Sequence, residues 1–166
     1  MSDAVDVILE QWRRERPGLD AWPMGVAGRI ARLSRLIDRE LKEFFAQHGL
    51  ETWEFDMLAT LLRSGPPYAL TAGALLRAAM RTSGAITNRI DHLERRGLVE
   101  RVPAEDDRRS IRVRLTPAGR TTVERLIDPH VENEARLLAA LAADERELLV
   151  GTLRTLLESL GDTSLD

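Results

Sequence analysis

Cysteine is absent from all 166 positions, which excludes a disulfide framework, a thiolate zinc site and a thiol-based oxidation sensor. Any signal the protein senses is therefore read non-covalently. No uninterrupted apolar run approaches the roughly 18 residues that a membrane span needs, and the start of the chain carries no basic-then-apolar leader pattern, so a cytoplasmic location is expected. His48, His92 and His130 are too scattered for a recognisable metal constellation, and no internal repeat is visible. Also missing are a nucleophile with a partnered base, a paired-carboxylate cleft and a phosphate-cradling glycine loop. An enzyme would need one of these, and nothing calls for a cofactor.

What is present is ordinary globular composition, 43% hydrophobic and 31% charged, in a length that suits one domain. Lys42 is the only lysine, a bias that a GC-rich genome would produce without any binding chemistry. The net charge is -3, but it is unevenly spread. Residues 81–120 hold ten arginines against six acids, a local balance of +4 on an otherwise acidic chain. A basic segment of this kind fits an electrostatic footprint for phosphates; a solvated charged surface would give the same contrast.

Apolar periodicity and capping signals predict a mainly helical chain. Val5, Ile8, Leu9 and Trp12 mark an amphipathic helix over 3–16, stopped by Pro17-Gly18. Met24, Ile30, Leu33, Ile37, Leu41 and Phe45 mark a helix of about 25 residues ending at Gly49. Thr52 is the expected cap of a third helix, with Phe55, Leu58 and Leu62 inward, closed by Ser64-Gly65-Pro66-Pro67. Thr71 caps a short helix to about Met80, and Ser83 caps another ending at Gly97. Two short helices so closely joined suggest a helix-turn-helix. Alternation over 98–103 and 110–115 predicts a hairpin. Thr116-Pro117 opens a long helix to about Ala140, and Asp144 begins a last helix rich in leucine.

On the helix after Ser83, Ile86, Ile90 and Leu93 share one side and face the core. Gly84, Thr87, Asn88 and Asp91 lie elsewhere, and the short residues at the helix start, Ser83, Gly84, Thr87 and Asn88, can approach base edges with Arg89 flanking them. Alone this could be an ordinary surface helix; the following hairpin changes the reading. Its tip holds Asp107, Arg108 and Arg109, and arginine on a β-wing can enter a narrow minor groove, with Asp107 orienting Arg109. Glu105-Asp106-Asp107, beside those arginines, reads as part of the tip rather than as a cation site.

The segment Asp107-Arg-Arg109-Ser-Ile-Arg-Val113-Arg-Leu115-Thr116 closely resembles the wing motif of the bacterial MarR family of transcriptional regulators. Arg89-Ile-Asp-His-Leu93-Glu-Arg-Arg-Gly97-Leu-Val-Glu-Arg101 resembles that family's helix-to-wing junction. The resemblance, which runs from about Gly25 to Leu160, implies a winged helix-turn-helix repressor that binds double-stranded DNA as an intertwined homodimer. Residues 52–116 would form the DNA-binding region, and helices within 3–48 and 117–161 the dimerisation region. Apolar helices of that length are hard to bury in a monomer and would be covered by a second copy.

Gln11-Trp12-Arg-Arg-Glu-Arg16-Pro17-Gly-Leu19-Asp20, followed by Pro23-Met24, resembles the extra first helix of the PecS and HucR subgroup of that family. The resemblance places that subgroup's urate-response residues on Trp12, Asp56, Arg63 and Arg101. Asp56 and Arg63, seven residues apart, share a helical face with Thr60 between them. Trp12 can supply an aromatic wall, the arginines planar donors for a flat anion, and Asp56 an acceptor or a charge displaced by the ligand. Urate or a related purine suits such residues; a phenolic or antibiotic-like aromatic anion is the alternative. In a purely structural reading Trp12 staples its helix, Arg63 neutralises a helix end and Arg101 touches phosphate. A helical protein-interaction module would also have amphipathic stripes, but it would leave the arginine-tipped hairpin unexplained.

Overall fold

A computed structural model describes residues 2–80, 86–104 and 110–165 and divides the chain into two compact units, Met1–Glu43 and Phe44–Asp166. In the first unit, α1 (Ala4–Glu15) starts at Asp3, whose carboxylate accepts from the Val5 and Asp6 amides at 2.7 and 3.0 Å. Asp6 returns the bond by accepting from the Asp3 amide at 2.9 Å, a reciprocal cap. The long helix α2 (Trp22–Gln47) presents glycines to α1. A Cβ on Gly25 would stand 3.3 Å from the Leu9 side chain, and one on Gly28 would stand 3.5 Å from Val5. Arg29 of α2 reaches back to Asp3 at 2.8 Å and Asp6 at 2.7 Å.

The second unit contains α3 (Thr52–Arg63), β1 (Ala69–Thr71), α4 (Ala72–Ala78), α5 (Ile86–Arg95), β2 (Val99–Pro103), β3 (Ile111–Leu115), α6 (Pro117–Leu137) and α7 (Ala143–Ser159). The strands form an antiparallel sheet in the order β1-β3-β2. In the hairpin, Val99 faces Leu115 and Pro103 faces Ile111, so Val99, Val113 and Leu115 turn to the core. The expected hairpin is present, and β1 is an addition. Three residues are too few for alternation to register; Ala69–Thr71 becomes a strand because β3 offers it a partner edge, pairing Leu70 with Val113.

Phe45, Phe55, Leu58, Leu61, Leu75, Leu93, Val113 and Leu126 are among the side chains closed from solvent. Phe45 stacks on Phe55 at 4.4 Å between centroids, and the His130 ring of α6 lies 4.8 Å from Phe55. The inner face of α3 is wider than the sequence suggests, with Met57 and Leu61 fully buried and Leu62 only half-buried. Thr52 is not the cap of α3. Glu51 takes that position because its amide donates to the Glu54 carboxylate at 2.7 Å, and Thr52 becomes the first helical residue. Thr71 and Thr116 cap as expected, accepting from Ala74 at 3.2 Å and Gly119 at 3.0 Å. The last helix begins one residue before Asp144, and α6 stops at Leu137 rather than Ala140.

Two junctions demand glycine. Gly97 has φ of +68° where α5 turns into β2. At Gly119, in the first turn of α6, an added Cβ would lie 1.9 Å from the Leu98 carbonyl oxygen. Gly119→Ala should destabilise the protein by about 2–3 kcal/mol despite alanine's higher helix propensity, because backbone must move to admit the methyl group. Gly73→Ala in α4, which would meet only the end of Arg77 at 3.5 Å, should cost less than about 0.5 kcal/mol. Chemical denaturation at fixed protein concentration reads both.

Hydrogen bonds from backbone amides, first that of Asp6 to Asp3 and that of Asp3 to Asp6, hold both carboxyls below their usual 3.8, and Arg29 adds to the effect. Lowered folded-state values mean that this tether is complete above 3.8 and is lost as pH falls through the folded values. The Val5–Gly28 contact, followed by methyl and amide NMR shifts, should hold from neutrality to about pH 4 and separate below it.

Candidate functional site

The pair α4 and α5 is set on the core through Leu75, Ile90 and Leu93, with Ile86 half-buried. Away from that face, Thr87 and Asn88 are exposed on the first turn of α5. Ser83 and Gly84, expected at its start, lie outside the described residues, as do Asp107, Arg108 and Arg109 at the hairpin tip. β2 and β3 lead toward that tip in continuous antiparallel register up to Pro103 and Ile111. Arg89 does not simply flank the exposed residues. Its guanidinium lies over the Trp53 ring at 4.9 Å, a cation–π arrangement that ties α5 to the start of α3.

That tie continues along α5. Glu54, 1% exposed, accepts from Arg96 Nη1 with both carboxylate oxygens at 2.6 and 2.7 Å. Its Oε1 also lies 2.9 Å from His92 Nε2. Arg96 Nη2 donates to the Gly49 carbonyl at 3.0 Å, and the His92 ring meets Trp53 edge-on at 5.5 Å. A buried carboxylate is tolerable only when its lone pairs are met, and here the partners are the His92 ring on α5 and the Arg96 guanidinium just past its end.

Of the expected ligand residues, Asp56 and Arg63 converge on one backbone segment. Asp56 accepts from the Met80 amide at 3.3 Å, while Arg63 donates to the Ala78 carbonyl and to Thr60 Oγ1, the latter at 3.4 Å. Arg101 is engaged elsewhere. It bonds Asp91 at 2.5 Å and also Glu94, both on α5. The Asp91 hydrogen bond, with Glu94 adding its charge, holds the guanidinium still more firmly protonated than usual. Trp12, in the first unit, is 38% exposed on α1.

The sequence of the MarR family matches residues 48–110. PecS of Dickeya dadantii, an HTH-type transcriptional regulator, is 43% identical over 142 residues, covering 86% of this chain and 86% of its own length. The chain belongs to the MarR family. It is a PecS-type transcriptional regulator that binds DNA, not an enzyme. The MarR fold extends to solved structures of lower identity. MepR of S. aureus, in a complex with DNA, matches with a TM-score of 0.70 at 23% identity over 80% of this chain and 96% of its own. BpsR of Bordetella bronchiseptica, whose DNA binding is regulated by 6-hydroxynicotinic acid, matches with a TM-score of 0.69 at 23% identity over 79% of this chain and 91% of its own.

Among the described residues no group of three or more His, Asp or Glu could hold a metal ion, and no helix is long and apolar enough to cross a membrane. The residues that the sequence reading missed are Trp53, Glu54, His92 and Arg96. One signal was available: Glu54 falls in line with Leu58 and Leu61 on the apolar stripe of α3, where a carboxylate requires a buried partner.

Arg101→Gln should uncover Asp91 and Glu94 and place two uncompensated negative charges on α5. DNA affinity without any ligand should fall roughly three- to tenfold at low salt, with the deficit shrinking as ionic strength rises. Fluorescence anisotropy on DNA from upstream of the gene measures this, and an unchanged affinity would mean that these carboxylates lie away from the phosphates.

Proposed function

We propose that this MarR-family regulator represses transcription as a homodimer and is released from a pseudo-palindromic operator by a small planar anion, urate or a related purine. The observation that carries the reading is the double grip of Asp56 and Arg63 on Ala78 and Met80, the backbone leading from α4 toward α5. An anion that drew Arg63 away would remove the Ala78 bond, and its charge would repel Asp56 from the same segment. Drawing Arg101 away would expose Asp91 and Glu94 on α5. Either change weakens DNA binding without occupying the groove.

In this reading residues 52–116 are the DNA-binding region. Ser83, Gly84, Thr87, Asn88 and Arg89 serve the major groove, and Asp107, Arg108 and Arg109 serve the minor groove. Helices within 3–48 and 117–161 supply the dimer contact. Support for the latter comes from α7 and the residue that caps it, where Leu148 and Leu160 are 73% and 76% exposed and Leu153, Leu156 and Leu157 are also uncovered. Two half-sites would then be about 10 bp apart, and a shift of α5 would put the two copies out of register. Trp12 joins the ligand residues on the resemblance alone. The regulation of BpsR by 6-hydroxynicotinic acid favours, as a second reading, a monocyclic aromatic acid in place of the purine.

Titrating the protein onto its upstream intergenic DNA with and without urate tests the proposal, repeated with Trp12→Ala, Arg63→Ala and Arg109→Ala. Urate should weaken wild-type binding at least about tenfold, and the first two variants should lose most of that response. Trp12→Ala should keep its ligand-free DNA affinity, whereas Arg109→Ala should lose affinity by about tenfold with urate response intact. Tight, salt-dependent binding that urate leaves unchanged would overturn the purine reading and shift the search to aromatic acids such as 6-hydroxynicotinic acid.

A further inference from the structure

We infer that Glu54 is a positioning residue for DNA sequence reading: with Arg96, His92 and Trp53 it fixes the roll and depth of α5, so that Thr87 and Asn88 are presented in one orientation. The inference rests on the proposed role of α5 as the reading helix and adds to it residues that touch no base.

The contacts run the length of α5. At its first turn Arg89 lies on the Trp53 ring; one turn later His92 meets both Trp53 and Glu54; one turn later again Arg96 closes on Glu54 and on the Gly49 carbonyl. Residues 89, 92 and 96 follow the three- and four-residue spacing of one helical face, so the contacts form a line rather than a point. A single contact would let α5 rotate about it, whereas a line resists both rotation and tilt. Apolar burial of Ile90 and Leu93 cannot do this alone, because hydrophobic contacts are non-directional and tolerate small rolls. The guanidinium of Arg96 is directional: its Nη1 donates to both oxygens of the buried Glu54 carboxylate at 2.6 and 2.7 Å, while its Nη2 donates to the Gly49 carbonyl at 3.0 Å. Base reading depends on such direction because the donor pattern of a base edge must be met within normal hydrogen-bond geometry, while phosphate attraction tolerates misplacement.

A helix held for reading and a helix held merely for stability respond differently to Glu54→Gln. Glutamine keeps the volume and removes the charge, and Arg96, 37% exposed at its side chain, can turn to solvent without being buried unpaired. Affinity of the full-length protein is measured for the upstream intergenic duplex and for a random duplex of equal length, at a temperature where circular dichroism shows the variant folded. The ratio of the two affinities should fall at least about tenfold in Glu54→Gln, with the loss confined to the upstream duplex. Arg96→Lys, which keeps the charge but loses the second nitrogen that reaches the Gly49 carbonyl, should show a partial fall and decides the matter if the glutamine variant does not fold. A folded variant with the wild-type ratio, or with equal loss on both duplexes, would overturn the inference. Asn88→Ala separates it from the reading on which it rests. If Asn88→Ala keeps the ratio while Glu54→Gln lowers it, the positioning role stands and the assigned base-reading residue is wrong.

Discussion

A carboxylate placed among leucines cannot be left to itself, and the arrangement of the second unit follows from how Glu54 is satisfied. Its partners could have come from α3 or from solvent. They come instead from His92 and Arg96, roughly forty positions along the chain, so the requirement of one buried charge becomes a constraint between two helices. The same carboxylate accepts from the Glu51 amide and so also decides where α3 begins. Removing it would loosen the start of one helix and the alignment of another together.

Helix α3 is held at both of its ends, to α5 near its start and to the backbone after α4 farther along. Near its start Trp53 and Glu54 hold α5; farther along, Asp56 and Arg63 hold the backbone at Ala78 and Met80. These two grips differ in chemistry. The first centres on one buried carboxylate, whose partners reach it from the surface beside an aromatic flank, and it is costly to leave that carboxylate unmet. The second consists of polar contacts on half-buried or exposed groups, where water competes for each bond. In the proposed function the firm attachment is the pivot and the exchangeable one the lever.

Local chemistry was legible in the sequence, and long-range pairing was not. The caps at Thr71 and Thr116, the stop at Gly97 and the alternation over 111–115 depend on residues within a few positions, and the structure agrees with them. The cap at Thr52 failed because Glu54 outcompeted it through a bond that a distant arginine supports. Strand β1 was invisible because its residues are extended only by pairing with β3. The ligand residues show the same divide. The shared face of Asp56 and Arg63 was readable from spacing, but their common target at Ala78 and Met80 was not, nor was the attachment of Arg101 to Asp91 and Glu94.

The local excess of positive charge takes a different meaning once its partners are known. Arg96, Arg101, Arg114 and Arg120 each pair with a carboxylate, and Arg89 lies on an aromatic ring. Part of what reads in the sequence as a basic footprint therefore also fastens the fold, through exposed ion pairs and a cation–π contact that leave the charges in place. This sharpens the part left to any arginine without such a partner, and it makes the state of Arg101 consequential. Arg101 covers both Asp91 and Glu94, so the negative charge that this stretch of α5 shows depends on one side chain reaching across from β2. An acidic protein can thus bind DNA, because its affinity depends on which of its charges are covered and not on their sum alone.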